Sequence, residues 1–258
     1  MALVLAIVGV VAVRLATGPS GPPVPAGLPS QATQGTVLLV PGYGGNTGSL
    51  TALADRLRST GRVANVVALP GDGTGDLLAQ VDTLDAAVNN ALSGGAPSVD
   101  VVGYSAGGLV ARLWVARDAG EHRARRIVTL GAPLHGTQIA AAGTALLPGA
   151  CPMACQQLVP SSALLRGVDA QALPAGLPWL SVWTQDDQTV TPPDSARLAG
   201  AVNVPVQQIC PGVQVSHSEL PSNPLVTGMV LAALNGPRLT APQPTQCQAL
   251  TAAGRVSS

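Results

Sequence analysis

The chain has 258 residues, enough for one α/β domain with a core of its own and too few for two of comfortable size. Hydrophobic residues make up 47% and charged residues 10%, which excludes a disordered chain. Thirteen arginines balance thirteen acids, which excludes a strongly basic nucleic-acid partner; the densest basic group, Arg123, Arg125 and Arg126, reads as a solvated helix end.

Met1 to Val13 form an apolar run closed by Arg14, and residues 17–34 are rich in Pro, Gly and Ser. The run is shorter than the roughly 20 residues of a membrane helix, and it resembles the apolar stretch of a secretion signal without a basic start or a clear cleavage site. Residues 1–34 are therefore read as a signal- or anchor-like segment with a linker. Secretion is expected, with an uncleaved membrane anchor as the alternative.

From residue 35 onward, strand-like and helix-like stretches alternate as in a mostly parallel sheet with helices on both faces. TVLLV at 36–40 is a buried strand stopped by Pro41-Gly42. Leu50, Leu53, Ala54 and Leu57 have helical spacing over 49–59, and a strand follows at 63–69. Leu77, Val81, Leu84 and Val88 mark a crossover helix within 74–92. Strands at 99–102 and 126–130 flank a helix at 106–116. Right-handed crossovers then bring the C-terminal ends of all these strands to one edge, where ligands bind.

Residues 134–177 break this rhythm and are read as an irregular cap over that edge. Strands at 179–183 and 204–209 and a helix at 224–234 complete a single domain over 35–258. The four cysteines suggest bridges in an exported chain. Cys151 and Cys155 are close enough to close a small loop, leaving Cys210 with Cys247. A metal pair at CPMAC would need further ligands that the neighbouring sequence does not offer.

Gly103-Tyr104-Ser105-Ala106-Gly107 matches G-x-S-x-G where a strand meets a helix. A turn that tight tolerates only small residues beside the serine and presents its hydroxyl at the sheet edge. A serine needs a base, and His217 is the histidine that follows every candidate acid. His122 falls at the opposite edge, and His135 precedes the acids. Asp186 and Asp187 both follow the strand PWLSV; the D-x-x-V pattern favours Asp187, with Asp186 as the alternative. An oxyanion needs N–H donors: Ala106 supplies one after the nucleophile, and Tyr43, in PGYGG, is the candidate for the second. Asp72 and His135 read as structural or mouth-lining.

These segments resemble the small secreted lipases and esterases of actinobacteria within the α/β-hydrolase superfamily. LLVPGYGG looks like the oxyanion loop, with Pro41 where many members have His. GYSAGGLVAR looks like the nucleophile turn, and GAPLHGT is similar to G-[SA]-P-x-H-G-T. WTQDDQTVTPPDSARLAGA resembles the acid segment and VSHSELP the histidine loop. The resemblance implies an α/β-hydrolase fold and cofactor-free hydrolysis of acylglycerols or other lipid esters, with transient contact at a lipid interface. An acyltransferase of the cell envelope with the same Ser105, Asp187 and His217, or a catalytically silent scaffold, are the competing readings.

Overall fold

The computed structural model describes residues 27–255. The apolar run and most of the linker lie outside the described residues. β1 (Thr36–Val40), α1 (Gly48–Arg58), β2 (Ala64–Val66), α2 (Leu77–Ser93), β3 (Val99–Tyr104), α3 (Ala106–Asp118) and β4 (Ala124–Leu130) succeed one another as alternating units. After α4 (Gln138–Leu146), α5 (Met153–Gln157) and α6 (Ala163–Asp169) the chain returns to the sheet as β5 (Trp179–Trp183) and β6 (Val202–Pro205). α7 (Val206–Ile209), α8 (Pro224–Asn235) and α9 (Cys247–Gly254) close it.

The strand order is β2-β1-β3-β4-β5-β6, with every neighbouring pair parallel. β1 therefore lies between β2 and β3, and the chain reverses its direction of travel across the sheet there. The loops leaving β1 and β3 part to opposite faces and open a crevice at their C-terminal ends. Side chains alternate across the sheet. Val99, Val101 and Ile127 pack against α2 and α3, whereas Val102, Val128 and Leu130 pack against α1 and α8.

Several expected elements differ in extent, each for a local reason. β2 is three residues rather than seven, because it is an edge strand whose one neighbour, β1, ends at Val40; Val63 is exposed. The strand expected at 204–209 stops at Pro205, which has no N–H to continue a ladder and instead caps α7. Residues 134–177 are not irregular throughout, since they contain three short helices. Two of these are tied to loops at the C-terminal edge of the sheet. Thr137, the N-cap of α4, donates its hydroxyl to Thr189 O, and Ala154 N–H donates to Thr74 O.

α9 went unanticipated. It packs on α8 through two glycines: a Cβ on Gly228 would stand 1.9 Å from Leu250 O, and one on Gly254 1.8 Å from Pro224 O. The Cys210–Cys247 bridge anchors its start, while Cys151–Cys155 closes the loop between α4 and α5.

The arginine group is the main correction. Arg123, Arg125 and Arg126 are 5%, 1% and 0% exposed, so they are part of the core and not a solvated helix end. Arg125 pairs with the fully buried Asp100 of β3 at 2.5 Å, and Arg62 pairs with the same carboxylate. These guanidiniums also take up the carbonyls that end α8: Arg62 and Arg125 donate to Leu234 O, and Arg126 donates to Ala233 O. Burial, and then the charge of Arg125, pulls the Arg126 pKa below its ordinary value. Periodicity could not show this, because a buried ion pair has the composition of a surface one. Asp100→Asn strands two buried guanidiniums and is expected to lower the unfolding free energy by about 3–5 kcal/mol, read from urea denaturation.

Candidate active site

Ser105 sits between β3 and α3 with φ 51° and ψ −128°, a conformation that L residues rarely adopt. The turn is held by close backbone packing. A Cβ on Gly103 would meet Gly108 Cα at 2.5 Å, and one on Gly107 would meet the carbonyl oxygens of Val40 and Pro41 at 2.3 and 2.4 Å. These glycines bring the start of α3 against the end of β1. Ser105 N–H donates to Leu130 O at 2.8 Å, which fixes the turn to β4.

His217 begins a single helical turn before α8. Its Nδ1 lies 2.7 Å from Asp187 Oδ2, and its Nε2 lies 3.0 Å from Ser105 Oγ. A carboxylate only accepts, so Nδ1 carries the proton and the Nε2 lone pair faces the serine hydroxyl, which donates to it. Asp187 is buried, and its other oxygen accepts from the N–H groups of Thr189 and Val190 at 2.9 and 2.8 Å. Asp186 is exposed and points elsewhere, accepting from Gln207 Nε2 and from Val215 N–H.

In the PGYGG loop Gly42 abuts Ser105; a Cβ there would come within 2.9 Å of Ser105 Cβ. Gly44 and Gly45 take φ of 83° and 64°, which turns the loop after Tyr43. Ala106 opens α3, so its N–H has no carbonyl one turn back. Among the described residues, neither the Tyr43 nor the Ala106 N–H donates to a protein acceptor.

The remaining candidates lie apart from this row. His122 is at the N-terminal edge, before β4. His135 bridges Asp169 and Arg197 O at 2.8 and 3.0 Å, and Asp169 also pairs with Arg112 of α3. His135 thus joins α6 to the sheet. Asp72 accepts from the hydroxyl and N–H of Thr74, and these bonds hold its carboxyl below the usual range.

Three residues beside the row escaped sequence reasoning. Tyr104, the second residue of the G-x-S-x-G pattern, sets its ring 5.2 Å from that of His217 and donates its hydroxyl to His217 O at 3.3 Å. Gly131, at φ 56°, leaves space for the imidazole; a Cβ there would stand 3.1 Å from Nδ1. Glu219 accepts from Ser216 N–H and hydroxyl, closing a capping box around the His217 turn. That last contact was readable as S-x-x-E in SHSE. The other two carry no signal until β3 and β4 are brought beside the histidine loop.

Solved structures share the fold that carries these residues. Aspergillus fumigatus lipase B superposes with a TM-score of 0.69 at 19% identity, covering 90% of this chain and 60% of that one. The chain has the α/β-hydrolase fold. One of the metagenome-derived lipolytic enzymes LipS and LipT matches with a TM-score of 0.60 at 19% identity, over 81% of this chain and 96% of that one. The mature Bacillus licheniformis lipase BlEst2 matches at 0.55 and 19% identity, over 71% and 86%. A family model described as a PGAP1-like alpha/beta domain matches residues 31–146, which include the PGYGG loop and Ser105 but neither Asp187 nor His217. No curated protein matches the chain by sequence. Within this fold the Ser105 turn follows β3, and the loops that carry Asp187 and His217 follow β5 and β6.

Burial, followed by the charge of Asp187, pushes the Tyr104 phenol up to about 12. Tyr43 is also raised, by burial and then by Asp72. These are the chain's two tyrosines. Tyrosinate absorbance is therefore expected to rise in two steps above pH 10, and Tyr43→Phe to leave a single step near 12. Because the folded value exceeds the unfolded 10.0, the stability Tyr104 contributes is whole below pH 10 and is lost as pH rises through about 12. A single step at 10 in the Phe variant would place Tyr104 in water.

Proposed function

We propose that the chain is a serine carboxylic ester hydrolase, a secreted lipase or esterase acting on acylglycerols or other lipid esters. The observation that carries this reading is the hydrogen-bonded row Ser105–His217–Asp187 at 3.0 and 2.7 Å, ending in a serine held at a strained turn. Ser105 Oγ attacks the ester carbonyl carbon while His217 Nε2 takes its proton. Asp187 keeps the imidazole in the required tautomer and stabilises the imidazolium. The N–H groups of Tyr43 and Ala106 receive the oxyanion. Collapse expels the alcohol, to which His217 returns the proton, and the acyl group stays on Ser105. Water, activated by the same histidine, then releases the carboxylic acid.

A lipid substrate is supported by the cap. No charged side chain stands between His135 and Arg166, and Ile139, Leu146, Leu147 and Met153 are exposed there. Export is supported by the two disulfides, which form in oxidising compartments. No helix among the described residues is long and apolar enough to cross a membrane.

Purified protein is expected to cleave p-nitrophenyl esters and to be labelled by a fluorophosphonate at Ser105. Ser105→Ala should lose the label and at least about a thousandfold in kcat. Asp187→Asn, which leaves His217 in the wrong tautomer, should lose about 10⁴-fold, whereas Asp186→Asn should stay within about threefold. Full activity in Ser105→Ala would overturn the assignment. So would the reverse ranking of the two aspartates.

A further inference from the structure

The edge that holds Ser105 carries two surfaces of opposite character. On the Tyr43 side lies the part of the cap between residues 136 and 165, which carries no charged side chain and is joined to the oxyanion loop through short contacts. Gly44 N–H donates to Gly73 O, and Ala154 N–H, next to the exposed Met153, donates to Thr74 O. On the His217 side an open groove of about 510 Å³ runs between the loop after β5 and the loop before α8. His217 itself lines it, with Gln188, Thr189, Gln214 and Ser218; Val215 is its one apolar lining residue.

Two carboxylates border the groove, and each holds a loop with one oxygen while the other, Asp186 Oδ1 and Glu219 Oε1, has no partner among the described residues. Asp186 accepts from Val215 N–H, and Glu219 accepts from Ser216. The amides of Gln188 and Gln214 are exposed and make no hydrogen bond to the described residues. The free recognition groups of the groove are thus two neutral amides and two carboxylate oxygens, each of which can bond a hydroxyl group.

The chemistry orients an ester between these two surfaces, provided the serine-hydrolase reading above holds. When the tetrahedral adduct collapses, the bond between the carbonyl carbon and the alkoxy oxygen breaks, and His217 Nε2 gives its proton to that oxygen. The alkoxy oxygen must therefore lie within hydrogen-bond reach of His217, and the alcohol departs past the imidazole. We propose that the polar groove takes this alcohol part and selects alcohols that bear further hydroxyl groups, such as polyols, with the apolar acyl part directed toward Tyr43 and the cap. An alkyl alcohol can cover the aliphatic stems of the lining side chains but leaves their amide and carboxylate groups without partners. Each hydroxyl that pairs with an amide contributes a neutral hydrogen bond, about two- to tenfold in binding.

The test holds the acyl group constant and varies the alcohol, using the full chain with glycerol monobutyrate and hexyl butyrate below saturation. The glycerol ester is expected to have about tenfold higher kcat/KM. The double variant Gln188→Leu with Gln214→Leu should bring the ratio near one by raising KM for the glycerol ester. Both glutamines are exposed and unpaired, so the fold does not depend on them. Equal or faster cleavage of hexyl butyrate, or a double variant that keeps the parent ratio, overturns the proposal while leaving Ser105 labelling by fluorophosphonate intact. Absence of both labelling and turnover overturns the serine-hydrolase reading and the groove with it.

Discussion

The close approach of α3 to the end of β1 is the contact on which the rest of the site depends. Gly107 lies under the carbonyls of Val40 and Pro41, Gly103 meets Gly108, and no side chain larger than hydrogen fits at these positions. Only with the helix drawn in this far does the chain reverse within one residue, leaving Ser105 at φ 51° with its hydroxyl outward. The same approach sets Gly42 against Ser105 Cβ, so the first N–H of α3 and the loop after β1 face a common space. Strain at Ser105 costs on the order of 1–3 kcal/mol and persists because the packing on three sides over-determines it.

The densest buried polar contacts described above lie at the opposite end of the sheet. Asp100, Arg62, Arg125 and Arg126 form a buried polar cluster at the N-terminal edge, where the arginines satisfy the last carbonyls of α8. That helix begins a few residues after His217, so anchoring its far end also steadies the histidine loop. α9, clamped by two glycines and the Cys210–Cys247 bridge, covers α8 from outside. The site residues are then carried on loops whose two flanking elements are both fixed.

The cap is assembled differently. Its helices are short, and two of them are tied to loops at the C-terminal edge of the sheet by several hydrogen bonds each, α4 to Thr189 and Thr191 and α5 to Thr74 and Asp76, assisted by the Cys151–Cys155 closure. One charged contact joins it to the core, through Asp169 with His135 and Arg112. Residues 136–165 of the cap, which carry no charged side chain, differ in character from the groove beside His217, which is lined by amides, hydroxyls and two carboxylates.

Much of this architecture was legible in residue patterns. TVLLV, the 3.6-residue spacing of Leu77, Val81, Leu84 and Val88, and G-x-S-x-G between a strand and a helix each encode a local structure through short-range sterics and burial. The α/β class and the position of Ser105 at a strand end follow from them. Chain order likewise singled out His217 from the other histidines. What only the tertiary structure decided are the contacts between segments remote in sequence. Asp187 rather than Asp186 faces the imidazole, because the loop after β5 turns one carboxylate inward and the other toward Val215. The arginines of β4 are buried, because Asp100 and the end of α8 wait for them across the sheet. Tyr104 and Gly131 shape the site of His217 with no pattern of their own. A side chain's partner is set by strand order and by loops closing over long separations, and local periodicity contains neither.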